Sequence, residues 1–204
     1  QPAAIAPAVS FQGSIKLDGP WKFQVGDDPR WADPAFDDSN WATVALGQPL
    51  TRQGVDSYSG FAWYRLRLDP RSLQQFGDQT AQTALFLFLE SDGVGQVAVY
   101  VNGVEAGWTT GMTDRLVEYQ SPPIAIPLAH IKPDSPIVLA IRCWVGPRTT
   151  VKCGVVDAVA LGSRDSITER LAMARARQWD ERAIAPMVLT FLFLCVAGLG
   201  AALY

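Results

Sequence analysis

Hydrophobic and polar residues alternate in short runs from Phe11 to about Gly162, and a period of two indicates β-strands. Turn-forming residues separate the runs, and no helical period occurs in this part of the chain. Nine short strands in about 150 residues predict a mostly β fold of the sandwich type. The nine predicted strands are WKFQVG, WATVALG, FAWYRLRLD, ALFLFLESD, QVAVYVNG, VEAGWTT, IAIPL, IVLAIRCWV and VKCGVVDAVALG.

Two of these runs predict details of the sandwich. In QVAVYVNGVEAG the alternate valines point to one face and Ala98 and Tyr100 to the other, and Asn102-Gly103 favours a two-residue hairpin turn. ALFLFLESD is apolar on both faces, so we expect a central strand that is covered on both sides. The loop GDDPRWADPAFDDSNW is interrupted by proline, and its Trp31, Phe36 and Trp41 are expected to close one end of the core.

The pattern changes at Ser163, where helix-forming residues follow Ser163 or Asp165 as a cap and predict a helix over 163–183. Residues 184–204 then carry no charge and match the hydrocarbon thickness of a bilayer, which predicts a transmembrane helix. A buried core helix is the alternative, although the apolar character runs all round this segment. The predicted apolar stripe of the first helix is Ile167, Leu171, Ala174 and Gln178.

The net charge and the first residues of the chain indicate which partners and which cellular compartment to expect. The net charge of −3 and the pI near 5.1 argue against a nucleic-acid partner, which a basic face would bind. The sequence starts at Gln1 without methionine, as expected after removal of a secretory signal. Arginines before the apolar segment favour a cytoplasmic flank, but long folded domains are translocated largely regardless of charge. We therefore expect the β part to be extracytoplasmic.

The cysteines are consistent with that compartment. Cys143 and Cys153 flank WVGPRTTVK, where a hairpin turn is expected near Arg148, and facing cysteines of a hairpin can form a disulfide. Two free thiols on strands are the alternative. Cys195 lies in the apolar segment and is expected to be a packing residue.

Five phrases in order resemble the sugar-binding domain of family 2 glycoside hydrolases, over nearly all of residues 15–162. They are LDGPWKF, FDDSNWATVALG, GFAWYRLRL, VAVYVNGVEAG and IVLAIRCWV. The resemblance implies a jelly-roll β-sandwich of the galactose-binding type. It also implies no catalysis within this segment, because the two catalytic glutamates of that family lie in a separate barrel. Here WTTGMTDRLVEY stands where the family has a Gly-Gly-Tyr type loop, keeping Gly111 and Asp114 but not the aromatic residue.

A jelly roll followed by an apolar segment also resembles the extracytoplasmic sensor domains of bacterial multi-pass signalling receptors. This predicts an N-terminal extension at 1–14, a jelly-roll domain at 15–162, a juxtamembrane helix at 163–183 and a transmembrane helix at 184–204. The predicted location is the bacterial cytoplasmic membrane, with the β domain in the periplasm and the lipid bilayer as a partner.

Catalytic and metal chemistry is not predicted. Glu90 and Asp92 share a strand face, but a solvated strand end explains them better than a pair of catalytic carboxylates. His130 has no nucleophile near it in the sequence. No cofactor and no metal are expected. Calcium at the aspartates of the loop is the less favoured alternative. These aspartates are Asp27, Asp28, Asp33, Asp37 and Asp38.

Ligand binding needs aromatic rings and planar or charged polar groups in loops. The candidates that meet this requirement are Arg52, Tyr58, Trp108, Asp114, Arg115 and Tyr119. The rings could instead cover the edge of the core, and the same loops could bind a protein partner or a second copy of the chain. The predicted function is a non-catalytic sensor for a carbohydrate or other small molecule. The alternatives are a membrane-tethered carbohydrate-binding module and an accessory subunit that docks a protein partner.

Overall fold

A computed structural model describes residues 13–48, 50–54, 58–69, 85–90, 96–108, 123–128, 136–145, 156 and 158–179. Each predicted strand segment contains an observed strand, so the mostly β fold is confirmed. One further strand, β1, was not predicted, because three residues are too few to show a period. The strands are β1 Ser14–Lys16, β2 Trp21–Val25, β3 Ala42–Val44, β4 Gly60–Leu68, β5 Leu85–Glu90, β6 Val97–Val101, β7 Val104–Trp108, β8 Ile124–Leu128, β9 Ile137–Val145 and β10 Ala158–Gly162.

The strands form two antiparallel sheets, as a jelly-roll sandwich requires. One has four strands in the order β1-β10-β5-β8, and the other has six in the order β3-β2-β4-β9-β6-β7. The main core lies between them and is built from alternate residues of each strand, because successive side chains point to opposite faces. Its largest fully buried apolar members include Trp21, Tyr64, Leu87, Leu139 and Leu161.

The β6–β7 hairpin confirms the prediction from the alternating valines. Asn102 and Gly103 have φ angles of 49° and 86°, and they form a two-residue turn between Val101 and Val104, which face each other. The Asn102 side chain also accepts a hydrogen bond from the backbone N–H of Val138 at 2.8 Å. This bond ties the turn to β9, the central neighbour of β6.

Strand β5 is covered on both sides, as predicted from its continuous apolar sequence. Leu87 and Leu89 face the main core, while Phe88 faces the opposite side of the sheet. There it packs in a second cluster with Ile167 and Ala174, both fully buried residues of a helix over 164–179, here called α1. Helix α1 therefore lies on the outer face of the four-stranded sheet.

The start of α1 is fixed to the sheet by short contacts. The Ser163 carbonyl accepts from the N–H of Ile167 at 3.1 Å, and the Ser163 hydroxyl oxygen accepts from the N–H of Ser166 at 3.4 Å, so Ser163 is the predicted cap. The Ser166 hydroxyl donates to the Gly13 carbonyl at 3.0 Å. A Cβ on Gly162 would lie only 2.7 Å from that same carbonyl. Glycine at 162 thus permits the close approach of α1 to β1.

The predicted transmembrane segment at 184–204 lies outside the described residues. Within the residues that the structure does describe, no helix has the length and apolar character needed to cross a bilayer.

The predicted disulfide is not found at Cys143, which is a free and fully buried thiol. Its Sγ donates to the Ala62 carbonyl at 3.3 Å. The reason is topological. Cys143 is paired with Ala62 of β4 on one side and with Val97 of β6 on the other, so β9 has no free edge for a hairpin with the segment that follows it. Strand β10 belongs to the other sheet. Cys153 and Cys195 lie outside the described residues.

Candidate functional site

A cavity of about 540 Å³ lies between α1 and the outer face of the four-stranded sheet. Sheet residues contribute one wall and residues of successive turns of α1 contribute the other. The lining residues are Lys16, Phe88, Glu90, Ala158, Arg170, Met173, Ala176 and Arg177.

The walls of this cavity are apolar in the middle and charged at the rim. Arg177 and Glu90 form an ion pair across the cavity, with 3.4 Å between Nη2 and Oε2, and the Arg177 side chain is 68% exposed. The Arg170 guanidinium lies over the Phe88 ring, 5.7 Å from its centroid. Lys16 supplies another positive charge from β1. Among the described lining residues, three side chains are positive and one is negative.

Arg170 is the cation that reaches deepest. Its Nη2 donates to the Ser14 hydroxyl at 3.4 Å, and partial burial lowers the pKa of its guanidinium below the usual value. The pKa of an arginine is so high that the group stays charged at neutral pH. The structure thus places a permanent, partly desolvated positive charge beside an aromatic ring.

The opposite face of the molecule is covered by the loop 26–41 rather than by a helix. Trp31, Phe36 and Trp41 were expected to close one end of the core, but they pack on the outer face of the six-stranded sheet against Trp63. The Trp31 ring contacts Trp41 edge to face, with centroids 5.1 Å apart. This aromatic layer is a separate cluster because Trp63 points away from the main core.

Arg65 holds this loop in place from beneath. Its side chain is fully buried, its Nε lies 2.8 Å from Oδ2 of Asp38, and its Nη2 donates to the Asp33 carbonyl at 3.1 Å. It also donates to the Trp31 carbonyl. A guanidinium can satisfy several acceptors in one plane, which explains why arginine serves here.

A second arginine holds the other end of the loop. Arg142 pairs with Asp27 and stacks on Phe61, 4.0 Å from the ring centroid. Trp63 Nε1 donates to the same Asp27 carboxylate at 3.2 Å. The hydrogen bond from Arg142 is the main cause that lowers the pKa of Asp27. These groups satisfy one another, so we assign them to loop attachment.

The sequence-predicted ligand residues are not gathered in one place in the described structure. Trp108 ends the edge strand β7 and is 55% exposed. Tyr58 folds over Gly60 at the start of β4, where its hydroxyl would lie 2.6 Å from an added Cβ. Strands β4 and β7 are separated by β9 and β6, about 14 Å at the usual spacing. Arg52 is exposed in a 3-10 turn, Leu50–Gln53. Asp114, Arg115 and Tyr119 lie outside the described residues.

The carboxylates of the Asp-rich loop are used by the protein itself. Asp28 caps a short 3-10 helix at Pro29–Ala32 and pairs with Arg30, and Asp37 accepts from the N–H of Ser39. Among the described residues, no group of three histidine, cysteine, aspartate or glutamate side chains could hold a metal ion. Asp92 and His130 lie outside the described residues.

The fold is similar to that of much longer sugar-cleaving enzymes. A β-glucuronidase from Bacteroides uniformis is 24% identical with a TM-score of 0.53, over 74% of this chain and 18% of that one. A β-glucuronidase from Ruminococcus gnavus, in complex with uronic isofagomine, is 15% identical with a TM-score of 0.53, over 76% and 29%. A family 2 glycosyl hydrolase from Bacteroides cellulosilyticus is 15% identical with a TM-score of 0.53, over 74% and 20%.

No protein-family model matches the sequence, and no curated protein matches it. The chain spans less than a third of the length of the enzymes above, and identities this low show a likeness of fold alone. The predicted resemblance to a β domain of family 2 glycoside hydrolases is therefore confirmed for the fold.

The sequence predicted one feature of the site and missed another. The stripe of α1 was predicted, and Ile167, Leu171 and Ala174 do face the sheet. The cavity beside them was not, because a hydrophobic period does not show which sheet face a helix covers. The only available signal was Phe88 in a strand that is apolar on both faces.

Proposed function

We propose that this chain is the non-catalytic, extracytoplasmic ligand-sensing part of a membrane-anchored signalling receptor. The observation that carries the proposal is the attachment of α1 to the four-stranded sheet. Strand β10 ends at Gly162 and α1 begins two residues later, so the helix is a direct continuation of a strand inside the sandwich. The apolar segment 184–204 follows the same helix in the sequence.

This arrangement suits the transmission of a small movement. β10 pairs with β1 and β5, so a change at either neighbour acts on the strand that leads into α1. A ligand shifts such an equilibrium only when it binds one arrangement of the helix better than the other. The helix is the candidate moving element because, among the described residues, it packs on the outer face of the four-stranded sheet.

The non-catalytic character is supported by the chemistry of the described residues. Glu90, the described member of the Glu90–Asp92 pair, forms an ion pair with Arg177. This chain covers only 18% and 29% of two of the enzymes of similar fold.

The test uses the reciprocity of linked equilibria. If ligand binding shifts the position of α1, then a substitution that shifts the position of α1 must in turn change the affinity for the ligand. Ile167→Ala removes a fully buried contact of α1, and Thr168→Ala, at an exposed neighbouring position, is the matched control. Affinities for glucuronic acid, galactose and glucose are measured by calorimetry on the full chain. A changed affinity for Ile167→Ala alone supports the sensor.

A membrane-tethered carbohydrate-binding module is the second candidate, and the fold likeness to β-glucuronidases favours it. It predicts sugar binding that is equally strong in both variants. The third candidate is an accessory subunit that docks a protein. It is favoured by Val104 and Trp108, which are 71% and 55% exposed on the edge strand β7. It predicts no sugar binding at all.

A further inference from the structure

We infer that the exposed face of the C-terminal half of α1, residues 172–179, docks on the headgroup surface of a lipid bilayer. This inference rests on the membrane anchoring in the proposed function, and it names the partner of the helix face that points away from the four-stranded sheet. It depends neither on the identity of the sensed ligand nor on the cavity beside α1.

The exposed side chains of α1 change character along the helix. In the first half every exposed residue is polar or charged: Arg164, Asp165, Thr168 and Glu169. In the second half four of the six exposed residues are apolar and the other two are arginines: Ala172, Met173, Arg175, Ala176, Arg177 and Trp179. Residues 172–179 contain no acidic residue. The second half therefore combines apolar surface with positive charge, as helices that lie at a membrane interface do.

Trp179 is the residue that best fits a headgroup layer. Its side chain is 75% exposed, and Met173, earlier in the same half of the helix, is 45% exposed. Tryptophan is enriched at membrane interfaces because its large ring is apolar while its indole N–H can still donate a hydrogen bond. Arg175 lies on the exposed surface beside them, and its long side chain can carry a guanidinium to lipid phosphates.

The sequence brings this half of α1 close to the bilayer of the proposed receptor. The uncharged segment 184–204 begins five residues after Trp179, and five residues reach at most about 18 Å. The headgroup layer outside the hydrocarbon is about 5–8 Å deep. Trp179 is thus within reach of the headgroups if segment 184–204 enters the hydrocarbon. Arg164 lies about 22 Å further back along the helix axis, which agrees with the polar surface of the first half.

Docking of this kind would give α1 two attachments. Ile167 and Ala174 are fully buried in the cluster with Phe88 of the sheet, while Trp179 would be held by the headgroups. A ligand that favours one position of α1 against the sheet would then also favour one position of the helix against the membrane.

Tryptophan fluorescence tests the docking. The full chain has seven tryptophans, of which Trp179 alone lies outside residues 15–162. The chain is placed in discs of zwitterionic lipid, with or without bromine at the headgroup end of the acyl chains. We expect quenching by the brominated lipid and its loss in Trp179→Phe. Trp108→Phe removes another exposed tryptophan, on β7, and is the matched control that should keep the quenching.

A second pair of variants tests the helix face. Ala176→Glu puts a negative charge one turn before Trp179, and we expect it to lose most of the lipid quenching and to increase quenching by acrylamide from the water. Thr168→Glu adds the same charge to the exposed surface of the polar half and should change neither. Unchanged far-ultraviolet circular dichroism checks that each variant is folded.

Two results overturn the inference. One is equal fluorescence in plain and brominated lipid, or quenching that persists in Trp179→Phe. The other is unchanged lipid quenching in Ala176→Glu, which would mean that the exposed face of α1 does not contact the headgroups.

The failure of this docking and the failure of the proposed function are separable by flotation with lipid vesicles. If the chain floats with the vesicles but Trp179 is not quenched by brominated lipid, the membrane anchor stands and the docking is contradicted. If the chain does not float, both are contradicted. If Trp179 is quenched but no ligand changes the hydrogen exchange of α1, the docking stands and the sensing function is contradicted.

Discussion

Nη2 of Arg177 on α1 lies 3.4 Å from Oε2 of Glu90 at the end of β5, and this ion pair bridges the helix and the sheet. The Arg177 side chain is largely exposed, so solvent screens the pair and its contribution to stability is under about 1 kcal/mol. The buried contact of Ile167 is worth more. The attachment of the helix is therefore mainly apolar.

The first prediction compares these two contacts. Ile167→Ala should lower the free energy of unfolding by about 2–4 kcal/mol, because it leaves a cavity among Phe88, Ala160 and Ala174. Arg177→Gln should lower it by less than about 1 kcal/mol. Chemical denaturation measures both, with Thr168→Ala as the control. A larger loss for Arg177→Gln than for Ile167→Ala would show that the helix is held by charge.

The second prediction concerns the buried arginine under the loop 26–41. Asp38→Asn leaves Arg65 buried without its charged partner, and we expect a loss of about 3 kcal/mol in the free energy of unfolding. Arg67 also approaches Asp38, at 3.5 Å, but its side chain is 47% exposed. Arg67→Gln is the matched control and should cost under about 1 kcal/mol. Equal costs would mean that Arg65 is not the group that holds the loop.

The third prediction is a pH dependence at Asp27. The hydrogen bond from Arg142 holds the pKa of this carboxyl below its ordinary value of 3.8. A lowered folded-state pKa contributes stability that is present above pH 3.8 and is lost as the pH falls through the folded-state value. With allowance for solvent screening, the contribution is about 1 kcal/mol.

Asp27→Asn tests this dependence. The difference in unfolding free energy between the original chain and the variant should be constant from pH 5 to 7, about 1 kcal/mol, and should shrink as the pH is lowered below the ordinary pKa. A difference that does not change with pH would show that the charge of Asp27 makes no contribution.

The fourth prediction concerns Cys143. Its thiol is fully buried, and burial raises its pKa well above the usual range, so it should not form a reactive thiolate in the folded chain. An alkylating reagent should leave Cys143 unmodified in the native state and modify it after unfolding without a reductant. Peptide mapping checks both. A cross-linked peptide that joins Cys143 and Cys153 would restore the disulfide prediction.

The strands could be predicted because each has one face in the core, and burial of one face imposes a period of two. The partners of the strands could not. A period shows which side chains share a face but not which strand is the neighbour, and the hairpin assumed for Cys143 failed for this reason. In the structure β9 is the third strand from the β7 edge and has neighbours on both sides.

The site was harder to predict for a related reason. Arg65 and Arg67 look like exposed residues of an alternating strand, GFAWYRLRL, and only the folded loop shows that Arg65 is covered. The cavity beside α1 depends on where a helix from the end of the domain meets strands from its middle. Contacts so distant in the sequence leave no local pattern.

We propose that ligand binding to the β domain changes the attachment of α1 to the four-stranded sheet. The most direct measurement is hydrogen–deuterium exchange of the full chain in lipid discs, with and without saturating glucuronic acid. We expect that a bound ligand changes the exchange of residues 164–179 and leaves the exchange of strand β4 unchanged. Saturable binding with no change in those helix residues would contradict it.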